Sequence, residues 1–294
     1  MESDRISCLP DHIIDQILSH LPIKDAGRTS VLSSIWRNKW STQPDLVFDK
    51  QCAPVATSGL PSVIKIKFLR MIDHVLLLHS GPINKVKISD SGRHIIDMNS
   101  VADIDRWILH LTKSLQGLKL YYCWLKPPTT FEGFRNLKSL KLKQILLADV
   151  VVPVKLPTPC INLTSLSVCI NFNDLKEISA GLCLLKSSPN LQVLGIFARL
   201  EKHADLLTPV SYCWEDIFSE PIMSFKLERV MVGDISGTKS ELDFIRFILL
   251  YSPVLEKMTV EPVVNFTSEL MTELIRFRRV SGQAEIVYLA KDSS

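Results

Sequence analysis

Apolar residues recur along this chain in two different rhythms. In "LPDHIIDQILSHLP", Ile13, Ile14, Ile17, Leu18 and Leu21 follow one another in steps of one, three, one and three. That spacing predicts a helix with a wide apolar stripe. Pro10 and Asp11 suit its first turn, and Pro22 stops it. "IKDAGRTSVL" predicts a second short helix, with Gly27 its weak point. In "TSVLSSIWRNKW", Val31, Leu32, Ile35, Trp36 and Trp40 again share helical spacing. This predicts a third helix, capped by Ser33 or Ser34, that carries both tryptophans. Three short helices within residues 9–40 bury little surface by themselves. Their apolar excess is expected to meet the rest of the chain or another protein.

The second rhythm begins beyond "QCAPVATSGLPS", which reads as a linker or loop. The frame L-x-x-L-x-L appears as "LQGLKL" from Leu115, "LKSLKL" from Leu137, "LTSLSV" from Leu163 and "LQVLGI" from Leu191. It continues as "LERVMV" from Leu227 and "LEKMTV" from Leu255, with a weaker early copy, "INKVKI", from Ile83. The six clear copies start 22, 26, 28, 36 and 28 residues apart, periods that suit leucine-rich repeats. Unrelated strands of an α/β domain would not repeat one frame six times. Leu118 and Leu120, Leu140 and Leu142, Leu166 and Val168, and Leu194 and Ile196 are then expected to point inward from parallel strands. The ninth position of the frame is Cys123 and Asn171 in two copies but Ile145, Arg199, Ile235 and Val263 in the others. A continuous asparagine ladder is therefore not expected.

Composition narrows the function classes. The chain has 294 residues, 46% of them apolar, enough for a sizeable core. Its 34 basic and 31 acidic residues leave a net charge of +3, which gives no reason to expect nucleic-acid binding. No apolar run is long enough to span a bilayer, no secretory signal is visible, and a soluble intracellular chain is expected. The seven cysteines are scattered without a C-x-x-C, and the seven histidines form no ligand cluster, so neither disulfides nor a metal are expected. His74 and His79 read as exposed or core-edge residues, and the sequons at Asn162 and Asn265 as accidental. "SVIK", Ser62 to Lys65, fits S-x-x-K, a pattern too short to mean catalysis without partner motifs. No P-loop, G-x-S-x-G or H-E-x-x-H occurs. "RFRR", Arg276 to Arg279, reads as a solvated helix face. No catalytic residue and no cofactor is expected.

The N-terminal segment, Leu9 to Trp40, resembles an F-box. It carries that family's Leu9-Pro10, Ile17-Leu18, Leu21-Pro22 and Trp36-Arg37, and "KDAGRTSVLSSIWRNKW" looks like the plant version. Ser34 and Ile35 stand where Lys and Arg are usual. "LERVMVGDISGTKSELDFIRFILLYSPVLEKMTVEP" resembles the plant FBD domain through Gly237, Glu241-Leu242, Leu249-Leu250 and Val254 to Met258, and "ELIRFRRVSGQAEIVYL" fits its tail. With the repeats, these matches cover most of the chain, which resembles a plant F-box/FBD/leucine-rich-repeat protein, somewhat short for that group.

The resemblance implies an α/β architecture. A three-helix F-box over residues 1–50 is followed by a linker and first helical segment over 51–82. An irregular leucine-rich-repeat solenoid, with parallel strands and returning helices or loops, fills 83–225, and an FBD-type region that continues the repeats fills 226–294. It further implies a non-catalytic substrate receptor of an SCF-type ubiquitin ligase in the nucleus or cytoplasm. Leu9, Pro10, Ile14, Ile17, Leu18, Leu21, Pro22 and Trp36 would bind a Skp-type adaptor, and through it a cullin; the tryptophans would also brace the F-box itself. A target protein would be held by the repeats and marked for degradation. A repeat scaffold without ubiquitin transfer is the alternative.

Strand alternation gives the expected target face. Lys119 and Tyr121, Lys141 and Lys143, with Lys85 and Lys87, should form its basic end, and Val193, Gly195 and Phe197 its apolar end, with Ser165, Ser167 and Cys169 between. Two readings stay open there. The lysines keep exposed strands soluble, or they receive an acidic or phosphorylated segment with Phe197 near an apolar anchor.

Overall fold

The structure, a computed structural model, describes residues 6, 8–49, 51–52, 61–89, 98–111, 114–125, 134–147, 155–199 and 224–290. Most of the expected linker (53–60) and Cys213 lie outside them. The chain divides into two units, Met1–Leu137 with Gln144–Val150, and Lys138–Lys143 with Val151–Ser294.

In the first unit both Leu-Pro steps start helices, α1 (Asp11–Ser19) and α2 (Ile23–Arg28). A proline at a helix start has no N–H to strand, and its carbonyl still accepts the opening bonds. Pro10 accepts from Ile13 and Ile14, and Pro22 from Asp25 and Ala26, at 2.8–3.2 Å. The expected third helix does not form. Thr29–Val31 and Lys39–Thr42 are single 3₁₀ turns with a turn between them. Side-chain chemistry explains the break. The hydroxyls of Thr29 and Ser41 donate to the carbonyls of Ala26 and Asn38, each at 2.7 Å, a local alternative to helical bonding. Asn38 sits at φ 65°, the left-handed conformation that interrupts a helix.

The break also separates side chains that the periodicity placed on one face. Trp36 and Trp40 turn into the core, and Trp36 Nε1 donates to the Ile6 carbonyl at 3.2 Å. Val31, Leu32 and Ile35 are left outside.

Three parallel strands follow in this unit: β1 (Asp45–Phe48), β2 (Lys85–Ser89) and β3 (Gly117–Tyr121). Leu46, Val86 and Leu118 share one register line, and Phe48, Ile88 and Leu120 the next; all six are buried. The weak early repeat is therefore a true strand, and β1 is one that the frame did not reveal. Parallel neighbours need crossovers, which here include α3 (Pro61–Leu78) and α4 (Val101–Leu111). Asp73 of α3 ties them together, accepting from Trp107 Nε1 at 2.7 Å and from Arg106 at 2.6 Å. Beyond β3, the short β4 (Trp124–Leu125) pairs in parallel with β6 (Leu146–Leu147).

The second unit holds six parallel strands in the order β5 (Ser139–Lys143), β7 (Ser165–Ile170), β8 (Val193–Ala198), β9 (Arg229–Ile235), β10 (Lys257–Pro262) and β11 (Glu285–Tyr288). Leu140, Leu166, Leu194, Val230, Met258 and Ile286 are register partners. The first five are buried, as are Val168, Ile196, Val232 and Val260 one step along; Leu142 is only half-buried. The leading leucines of the frame, Leu163, Leu191, Leu227 and Leu255, are also buried. The returns include α5 (Leu175–Lys186), α6 (Lys239–Tyr251) and α7 (Ser268–Arg276).

Two buried glutamates close the strand-to-helix turns. Glu177 in the first turn of α5 accepts the Asn171 N–H at 2.8 Å and pairs with Arg199 at the end of β8. Glu241 in the first turn of α6 accepts from the N–H groups of Ser236 and Thr238 at 3.1 and 2.8 Å, half of a capping box with Thr238. A carboxylate thus satisfies backbone donors at turns where the frame lacks a run of asparagines.

Candidate interaction surfaces

Among the described residues, no helix is long and apolar enough to cross a membrane, and no group of three or more His, Cys, Asp or Glu is placed to hold a metal ion. His79 Nε2 lies 2.9 Å from the Gln43 carbonyl, and Ser62 and Lys65 fall near the start of α3. The surfaces that stand out are apolar or basic, and each unit has one.

In the first unit the expected adaptor-binding residues separate into two groups. Ile14, Leu18 and Trp36 are 0%, 1% and 3% exposed and belong to the unit's own core. Leu9 and Pro22 are half-buried and Pro10 is exposed. Ile17 and Leu21, at 38% and 37%, face outward on and just after α1. Three residues outside that set are more exposed still: Val31, Leu32 and Ile35, at 87%, 48% and 41%. Exposure of five large aliphatic side chains in so short a segment is unusual for a surface with no partner. The sequence offered a signal for the last three, since they carry the same helical spacing as the tryptophans. The spacing pointed to one shared face, and the turn at Ser34–Asn38 splits it.

The expected target-binding residues divide between the units. In the first, Lys119 is exposed and Tyr121 half-buried on β3, with Lys87 half-buried on β2. Lys85 is occupied by Asp45 at 3.0 Å. In the second, Lys141, Lys143 and Phe197 are half-buried, on the face opposite Leu140 and Ile196. Their neighbours on that face are Ser165, Ser167, Cys169, Val193, Gly195, Met231 and Thr259. Cys169 is half-buried. Elsewhere in the chain, burial pushes up the pKa values of the Cys52 and Cys183 thiols.

Comparison with known proteins assigns names to both ends of the chain. Residues 6–48 match the F-box domain and residues 222–260 match the FBD. An F-box/FBD/LRR-repeat protein of Arabidopsis thaliana is 29% identical over 97% of this chain and 98% of its own length. That alignment runs over 420 positions against a chain of 294 residues, so the relative carries segments this chain lacks. An FBD-associated F-box protein of the same plant is 28% identical over 73% of this chain and 43% of its own length. Another F-box/FBD/LRR-repeat protein is 58% identical over 50 residues, 17% of this chain and 11% of that one. The chain therefore spans less than half of the last two.

Proposed function

We propose that this chain, which carries F-box and FBD matches and is similar to F-box/FBD/LRR-repeat proteins of Arabidopsis thaliana, is the substrate-recognition subunit of an SCF-type ubiquitin ligase. The F-box segment docks on a Skp-type adaptor, which links it to a cullin, and the repeat strands hold a target protein. No residue of this chain needs to perform chemistry. Holding a target near a ubiquitin-conjugating enzyme raises the effective concentration of its lysines. Such a complex works in the nucleus or cytoplasm, where its target is delivered to the proteasome.

The observation that carries this reading is the division of labour in the F-box segment. Ile14, Leu18, Trp36 and Trp40 complete its core, while Ile17, Leu21, Val31, Leu32 and Ile35 remain in solvent. Burying such side chains in an interface is worth roughly 1.5–3 kcal/mol each when complete. The test is co-purification of the full chain with a Skp-type adaptor. Val31→Asp with Leu32→Asp alters only exposed positions, so adaptor capture should disappear while the thermal melt is unchanged. Equal capture by the folded double variant would overturn the assignment of this surface.

A scaffold that binds a partner without ubiquitin transfer draws support from Ser34 and Ile35. Both are exposed where the plant F-box pattern carries Lys and Arg, so two positive charges are missing from this surface. Reconstituted ubiquitination of captured partners separates the two readings.

A further inference from the structure

Phe197 lies across two glycines on the outer face of the second unit's strands. A Cβ on Gly233 would stand 2.7 and 2.8 Å from ring carbons Cδ1 and Cε1, and one on Gly195 would stand 3.2 Å from Cε2. Hydrogen at both positions lets the ring settle onto the backbone. Cys169 and Gly233 are the register partners of Phe197, and Ser167 and Met231 those of Gly195. The result is a low apolar floor, with the Phe197 ring and Met231 thioether half-buried upon it.

Charge is distributed unevenly around this floor. Lys141 is the register partner of Ser167, and Lys143 ends the same strand. No carboxylate among the described residues pairs with either ammonium. On the opposite side Glu261 is the register partner of Gly233, and the exposed Arg229 and Lys257 are register partners of each other on the same face. An occupant lying across the strands therefore meets two lysines at one end and an apolar floor in the middle, with charges of both signs beyond it. Neighbouring strands are about 4.8 Å apart, so the lysine strand runs roughly 10 Å from the strand of Phe197. An extended peptide covers that span in about three residues.

We propose that this face anchors the target, and that its occupant is an extended acidic peptide segment with one large apolar side chain. The apolar side chain packs on Phe197 and Met231, and carboxylates about three residues away meet Lys141 and Lys143. The inference takes from the receptor reading only the statement that the peptide belongs to a degradation target.

The test measures fluorescence anisotropy of short synthetic peptides against the full chain. One peptide carries a leucine with glutamates centred three residues away. Its controls replace the glutamates by lysines, or the leucine by serine. A single-stranded RNA oligonucleotide is tested alongside. The glutamate–leucine peptide should bind, and its affinity should fall as salt rises. Phe197→Ala, and separately Lys141→Glu with Lys143→Glu, should each weaken binding by roughly tenfold or more. The lysine variant leaves the apolar core untouched and carries the test if Phe197→Ala fails to fold. Absence of binding to the acidic peptide, equal binding of the lysine peptide or the RNA, or wild-type affinity in the folded variants would each overturn the proposal. Adaptor capture, run in parallel, distinguishes the two failures. Loss of capture by the wild-type chain sinks the receptor reading alone, and loss of peptide binding with capture intact sinks this site alone.

Discussion

Replacing Gly233 by alanine should reverse the sign of its effect according to what stands at position 197. The new methyl would sit 2.7–2.8 Å from two Phe197 ring carbons, far inside ordinary carbon–carbon contact. The ring is half-exposed on its outer side, so it can lift, but lifting gives up part of its packing against the sheet. Forcing a side chain aside in this way costs about 1–3 kcal/mol, and about 1.5 kcal/mol where one side is open. Against it stands the ordinary gain from replacing a strand glycine, about 0.5–1 kcal/mol. That gain is accessible because Gly233 does not need a left-handed backbone; among the described glycines only Gly237 does, at φ 81°. The net expectation is a destabilisation of about 1 kcal/mol in the wild-type background. In a Phe197→Ala background the obstacle is gone, and Gly233→Ala should stabilise by about 0.5 kcal/mol. Urea unfolding followed by circular dichroism on the four proteins of this cycle gives a coupling of about 1.5 kcal/mol. The same destabilisation in both backgrounds would mean that the ring does not rest on Gly233.

Two further perturbations probe the interior. Glu177→Gln removes the charge that takes up both the Asn171 N–H and the Arg199 guanidinium, and should destabilise the second unit by roughly 1.5–3 kcal/mol. An unchanged melting temperature would refute the closing role of that carboxylate. Burial raises the pKa of Cys52 and Cys183, so the folded chain keeps these thiols protonated where the unfolded chain releases them. Their contribution is intact below the ordinary thiol value and is lost as pH rises through it towards the folded value. At mildly alkaline pH, iodoacetamide should label exposed Cys8 well before either buried thiol, and equal labelling rates would contradict the burial.

The strands were legible because their frame places a leucine or its equivalent at every position that turns inward, and Leu140, Leu166, Leu194, Val230 and Met258 fall on one register line. What could not be read was how residues 29–42 fold. Helical spacing alone cannot distinguish a helix from a chain of 3₁₀ turns when serine and threonine hydroxyls compete for the backbone and an asparagine adopts a positive φ. The consequence fell on the candidate surface. Leu18 and Trp36 sit in the core, whereas Val31 and Leu32 carry the exposure. β1 escaped because four residues, "DLVF", hold too little alternation to be told from a loop, and only Leu46 and Phe48 packing beside β2 marks them as a strand. Gly233 gave no sign in sequence of lying under an aromatic ring, because that contact joins residues on two different strands.

The shared strand register of the second unit set against starts 26 to 36 residues apart has an evolutionary corollary. Length in this architecture is stored in the crossovers, and the hydrogen-bonded ladder does not record how many residues each crossover contains. A gene can therefore gain or lose a stretch of crossover without displacing Lys141, Phe197 or Met231 relative to one another. The long alignment with the Arabidopsis thaliana relative, in which this much shorter chain still runs nearly end to end, fits such a history. Selection on what the face recognises and drift in the length of the returns can then proceed on separate clocks within one coding sequence.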